Sequence, residues 1–150
     1  MRVVVLDSGP LWLASKPLGQ PAADRCRTWL GLLDIAGVRV VVPEIADYEV
    51  RRKLLHSRAT AGIARLDHLE AGLAYEPITT AVMRLAAEYW SDARRIGRPT
   101  AGPRSLDADA ILAAQAELAC GPADTVTVAT TNVGHLARFV AARPWDQIAP

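Results

Sequence analysis

Four carboxylates stand where a metal-binding cluster can be assembled: Asp7, Glu49, Asp107 and Asp109. They come from three distant stretches of chain, and crowding them together is costly unless divalent cations neutralise their repulsion. Ligation by carboxylate oxygens alone suits Mg2+ or Mn2+ rather than zinc. Each acid also has an ordinary explanation when taken singly. Asp7 reads as a turn or cap residue, Glu49 as a solvated helical acid paired with Arg52 or Lys53, and Asp107 as a helix cap. Asp109 resists such a reading, because it precedes the apolar run AILAAQA, where a core-facing helix calls for small apolar residues. His56 and His135 read as ordinary surface histidines.

Positioning these groups is the task of an alternating pattern. Short β-branched runs are separated by longer helix-like stretches, the pattern of an α/β fold with a mainly parallel sheet. A strand is expected over 2–6, buried on both faces because four apolar residues follow one another, with Asp7 at its carboxyl end. A helix over 21–36 ends at Gly37, and a second strand covers 38–42. Pro43 opens a helix that carries Glu49 to about Ser57, and another runs from Thr60 or Ala61 to Gly72. Pro77 demotes the run 73–78 towards an edge strand. Thr79 or Thr80 caps a helix to about Ile96, followed by a loop, GRPTAGPRS. Ser105 or Asp107 begins a helix through Leu118, and 125–129 form the fourth strand, with Asn132 close behind it. The tail containing Trp145 and Ile148 is expected to add an edge strand.

Ligands in open α/β sheets bind at the carboxyl ends of the strands, where Asp7 and Asn132 fall. Glu49, about two turns into its helix, leans back over the same edge, and Asp107 and Asp109 open the helix before the fourth strand. Two residues along a helix differ by roughly 200° in direction, so Asp107 and Asp109 face one metal only if Asp107 precedes the first turn. Asp109 therefore ranks ahead of Asp107, which is either a second ligand or a cap. Glu44 and Asp47 project elsewhere. On the same helix Glu49, Arg52 and His56 share a face, and Arg52 is the first candidate for a phosphate contact. Arg51, Lys53, Arg94, Arg95, Arg98 and Arg104 are further basic candidates for contacts to an anionic ligand.

A chain of 150 residues with 51% hydrophobic and 22% charged residues reads as one domain, 1–150, with a full core. Cys26 and Cys120 fit neither a zinc spacing nor a disulfide framework, so a reducing cytoplasm is expected. The apolar run in MRVVVLDSGP is too short for a signal core or a membrane span. A net charge of +1 is small for a nucleic-acid binder and counts against that class. The basic set, however, is almost entirely Arg, with Lys only at Lys16 and Lys53, and Arg suits bidentate phosphate contacts. A haloacid-dehalogenase-like phosphatase is excluded because it needs a second Asp two residues after the first, where this chain has Gly9. A phosphotransfer receiver wants an acid pair before its Asp and a late Lys, and no Lys follows Lys53.

The segments VVVLDSGPL, PEIADYEVRRKLL, SLDADAILAAQA and VTVATTNVGHLARF together resemble, in order and separation, the four signature stretches of PIN-domain nucleases. The resemblance covers nearly the whole chain and is greatest to the VapC-like toxin ribonucleases of bacterial toxin–antitoxin pairs. It implies a three-layer α/β/α sandwich with a mainly parallel central sheet, RNA cleavage dependent on Mg2+ or Mn2+, a cognate antitoxin and a homodimer. By position, Asp7 matches the acid after the first strand, Glu49 the helical acid and Asp109 the acid before the small-residue helix. Ser8 and Thr131 match polar positions near the metal. The departure is Asn132, where many members carry Asp; an amide oxygen still ligates but brings no charge. A non-catalytic PIN-fold module that binds protein or RNA is the alternative. Self-association is also expected because 51% hydrophobic residues and four tryptophans leave apolar faces after folding.

Overall fold

Val3 to Leu6 are four consecutive apolar residues, a pattern suited to a strand covered on both faces. In a computed structural model, which describes residues 1–96 and 103–150 but not the side chains of 103–105, that strand lies at the centre of the sheet. The strands are β1 (Arg2–Leu6), β2 (Arg39–Pro43), β3 (Ala74–Glu76), β4 (Thr125–Thr130) and β5 (Ala142–Pro144), in spatial order β3-β2-β1-β4-β5. Every pairing is parallel, with Val4 opposite Val40 and Thr127 and Val41 opposite Ala74. A parallel sheet brings all its carboxyl ends to one edge and needs helical crossovers over its faces.

Those crossovers are α1 (Ser8–Ala14), α2 (Pro21–Ile35), α3 (Glu44–His56), α4 (Thr60–Ala71), α5 (Thr80–Arg95) and α6 (Pro103–Leu118). One face of the sheet, Val4, Leu6, Val40 and Val42, packs with Leu11 of α1, Leu33 of α2, Val50 and Leu54 of α3 and Leu66 of α4. The other face, Val3, Val5, Val41 and Val128, packs with Leu112 and Ala116 of α6. α5 covers α6 in turn, Val82 and Ala86 meeting Ala110 and Ala114. The result is the expected α/β/α sandwich, with a sheet that is wholly parallel among the described residues.

Differences from the sequence reading lie at the ends of elements. α1 was not expected, because the Gly9–Pro10 pair resembles a turn. The helix accepts Pro10 in its first turn, where backbone N–H groups have no acceptor within the helix. α6 begins at Pro103, which puts Asp107 inside the helix rather than before it. Most of the expected GRPTAGPRS loop, including Arg98, lies outside the described residues. The last strand falls at Ala142–Pro144, just before Trp145. Trp145 and Ile148 instead cover α2: the Trp29 and Trp145 rings are 5.5 Å apart, and Trp29 Nε1 donates to the Ile148 carbonyl at 2.9 Å. No tryptophan is exposed, whereas Ile35, Leu55 and Ile96 at the ends of helices are. No helix among the described residues is long and apolar enough to cross a membrane.

Candidate functional site

Asp7 follows the last residue of the central strand and turns the chain into α1. Its backbone N–H continues the ladder to the Ala129 carbonyl at 2.9 Å. Oδ1 accepts from the Ser8 N–H at 2.7 Å, as an N-cap does, and Oδ2 accepts the Thr130 hydroxyl at 2.6 Å. The Thr130 oxygen in turn accepts the Asn132 N–H at 3.0 Å. The buried Thr130 therefore couples the carboxylate to the turn after β4. Gly9 permits the closeness of these segments, since a Cβ there would stand 2.3 Å from Thr131 Oγ1.

Glu49 comes from α3, whose first turn is tied to the opposite layer. The buried Gln115 of α6 accepts the Ile45 N–H at 3.1 Å and donates to the Glu76 carbonyl at 2.5 Å. Glu44 accepts the Ile78 N–H at 2.5 Å. With Ala46, Val50 and Leu54 buried on its inner face, α3 keeps Glu49 half-buried at the sheet edge. Burial raises the Glu49 pKa, and Asp7 and Asp109 add to the rise, against the lowering effect of Arg52 and Lys53. Asp109, on the second helical turn of α6 between Ala108 and Ala110, is pushed up to about 6, chiefly by burial and then by Asp7.

Asp7, Ser8, Glu49, Asp109, Asn132 and His135 line one cleft of about 280 Å³ at the carboxyl ends of β1 and β4. Three of the four acids expected from sequence are thus brought together. Asp107 is not among them. Its exposed side chain borders an adjoining cavity with Ile45, Tyr48, Glu49 and Arg52, and the condition for its facing the metal, a place before the first turn of α6, is not met. Thr131 is exposed against Gly9, and the hydroxyl on Asp7 belongs to Thr130, which the sequence reading passed over. His135, expected at the surface, is half-buried there and lines the cleft.

Among the basic residues, Arg52 sits over the Tyr48 ring at 5.0 Å. Arg51 does not face the cleft as a spare cation; it pairs with Asp47 at 2.9 Å, Asp67 at 2.8 Å and Glu70 at 3.2 Å. Arg94 stacks on Trp90 at 5.3 Å, while His56, Lys53 and Arg95 are exposed. Arg98 and the side chain of Arg104 lie outside the described residues.

Among the described residues, no three Asp, Glu, His or Cys side chains converge closely enough to form a ready-made metal cage. Apart from the His135 imidazole, the donors that share the cleft are nevertheless oxygens, and two of them bind protons more tightly than usual because they are buried near another carboxylate. A cation relieves that electrostatic cost. Mg2+ keeps several waters and takes only one or two protein carboxylates alongside phosphate oxygens, so an open set of this kind fits it.

No protein-family model matches the sequence, and no curated protein matches it. Similarity appears in solved structures. A chain of VapBC2 from Rickettsia felis, bound to a DNA fragment from their promoter, superposes with a TM-score of 0.70 at 16% identity, covering 96% of this chain and 99% of that one. A chain of VapBC-1 from nontypeable Haemophilus influenzae gives 0.65 at 16% identity, with 97% and 99% covered. A chain of FitAB bound to the IR36 DNA fragment gives 0.61 at 22% identity, with 98% of each chain covered. At these identities the shared property is the fold, over nearly the full length of each chain.

Proposed function

We propose that this chain, PIN-like in fold, is a metal-dependent endoribonuclease that acts in the cytoplasm as the toxin of a toxin–antitoxin pair. The observation that carries the reading is the meeting of Asp7, Glu49 and Asp109, from a strand end and two helices, in one cleft at the carboxyl edge of a parallel sheet. Asp7 and Asp109 would hold the metal, joined by Glu49 and the Asn132 amide oxygen. Mg2+ or Mn2+ bound there would supply a more acidic water and neutralise charge on the phosphate oxygens. The chain's own groups do the rest. The Ser8 N–H and Thr130 hydroxyl hold Asp7 in one orientation. Glu49 takes a proton from the attacking water, and Arg52, on the next turn of the same helix, contacts the phosphodiester. Phosphorus gains the water oxygen, a P–O bond to the next nucleotide breaks, and the departing oxygen takes up a proton.

The similarity to chains from VapBC and FitAB assemblies supports an antitoxin partner for this chain. Exposed Leu18, Ile35, Leu55 and Ile96 support a homodimer, for which light scattering at micromolar concentration is the test. Only a monomer there would rule the dimer out. For the activity, labelled RNA is incubated with the purified chain and Mg2+ or Mn2+, then with EDTA. Cleavage that requires the metal is expected; undiminished cleavage in chelator overturns the mechanism. The uncharged, exposed Asn132 favours a second reading, a non-catalytic RNA-binding module. RNA that is bound but left intact under every metal condition would establish it.

A further inference from the structure

Beside the carboxylate cleft lies a second cavity, of about 500 Å³, that shares Glu49 and Ala108 with it. Its composition differs from that of the cleft. Ile45 gives it an apolar surface, Tyr48 an aromatic one, Arg52 a guanidinium and Asp107 an exposed carboxylate at the rim. Tyr48 is 55% exposed, although an aromatic side chain of its size gains by burial. The Arg52 guanidinium lies over its ring at 5.0 Å, so two planar groups stand together at the mouth of the cavity. Unpaired bases in RNA are held on such planes, by stacking on aromatic rings or Arg guanidinium groups.

We infer that this cavity holds the base of the nucleotide next to the scissile phosphate, stacked on the Tyr48–Arg52 pair. The inference rests on RNA being cut in the neighbouring carboxylate cleft. A base hangs one sugar away from its phosphate, and the two cavities meet at Glu49, so a phosphate among the carboxylates delivers its base next door. The exposed Asp107 carboxylate accepts from the edge of that base, which favours guanine, whose ring N–H and amino group donate side by side to its two oxygens, over the bases that offer a single donor group. This gives Asp107 a role in choosing the base rather than in holding the metal. Continuity with the cleft also favours a base over a protein partner as occupant.

The test is steady-state cleavage of short single-stranded RNAs with Mn2+ by the wild type, Tyr48→Ala, Tyr48→Phe and Asp107→Asn. Tyr48→Ala raises KM roughly tenfold, the order expected for one base–aromatic stack, and changes kcat much less. Tyr48→Phe restores KM, because the ring and not the hydroxyl is needed. On RNA with an abasic residue beside the cleavage site, the wild type and Tyr48→Ala become equal. Asp107→Asn flattens the preference among bases while the Mn2+ concentration for half-maximal activity stays unchanged; a shift in that concentration instead makes Asp107 a metal ligand and overturns its assignment. A wild type that cuts no RNA fails the ribonuclease reading and this inference together. An active wild type whose KM is indifferent to Tyr48→Ala overturns the base site alone. If that variant alters mass in light scattering without altering KM, the patch belongs to a protein contact and the inference falls.

Discussion

Asp109 carries the sharpest opposition between folding and function. Its carboxyl is pushed up to about 6 by burial and by Asp7, whereas an unperturbed Asp titrates near 3.9. A group with a raised folded-state pKa contributes stability that is complete below the unfolded pKa and is lost as pH rises through the folded one. The metal-free protein therefore loses stability between about pH 4 and 6 through this residue. Asp109→Asn removes the charge, so at pH 7 it is expected to stabilise the metal-free chain by about 1 kcal/mol once solvent screening is allowed for. That is a rise of about 3 °C in a domain of this size. The same change abolishes RNA cleavage and reduces stabilisation by Mn2+. Melting curves with and without Mn2+, beside a cleavage assay, decide the matter; a destabilised variant that still cuts RNA rules out Asp109 as a ligand. At this scale much of the candidate site was legible, since Asp109 stands where a core-facing helix calls for small apolar residues, while Asp7 and Glu49, ordinary when taken singly, gain meaning from the ordered set of segments that carries them. Thr130 was not, because which hydroxyl of the Thr130–Thr131 pair turns inward depends on how far β4 extends. It runs one residue beyond the expected end at Ala129.

Two of the elements that carry the acids, α3 and α6, are tied together by one polar side chain in the core. Gln115 spans α6, the first turn of α3 and β3, satisfying an Ile45 N–H that has no partner within its own helix and the Glu76 carbonyl. Gln115→Leu keeps the side chain's approximate size and leaves both groups unpaired. A cost of about 3 kcal/mol is expected, a fall of roughly 9 °C in melting temperature. Because α3 holds Glu49, kcat should fall as well, although Gln115 does not line the cleft. Unchanged stability and kcat would mean that apolar packing and the Glu44–Ile78 hydrogen bond position α3 without Gln115. Long elements such as α3 and α5 were readable from their patterns and from caps such as Thr79, whose hydroxyl accepts the Val82 N–H. α1 was not, because seven residues make only two turns and its Gly–Pro pair imitates a loop. The Gln115 link was equally hidden: a Gln in an alanine-rich helix looks solvent-facing until the layer opposite it is known.

Over the whole molecule the net charge is only +1, so any hold on RNA must come from local fields rather than from an overall basic surface. Sequence could count the arginines but not say which were spent inside the protein. Arg51 is spent: it joins Asp47 and Glu70, which it helps to bury, to Asp67. Arg52 and Lys53 instead direct their charge towards Glu49. For single-stranded nucleic acid, the logarithm of the binding constant falls with the logarithm of salt concentration by about 0.7 for each phosphate neutralised. Two or three local cations thus give a slope of about −1.5 to −2, shallow beside that of a strongly basic protein. Arg52→Ala should make the slope shallower by about 0.7 and leave the melting temperature nearly unchanged. Arg51→Ala should do the reverse, preserving the slope while three carboxylates lose their common partner and the fold loses several degrees of stability. Anisotropy of labelled RNA in EDTA over a salt series, with melting curves of the same proteins, separates the two. A shallower slope without loss of stability in Arg51→Ala would return that residue to the RNA surface and break the division between structural and RNA-facing arginines.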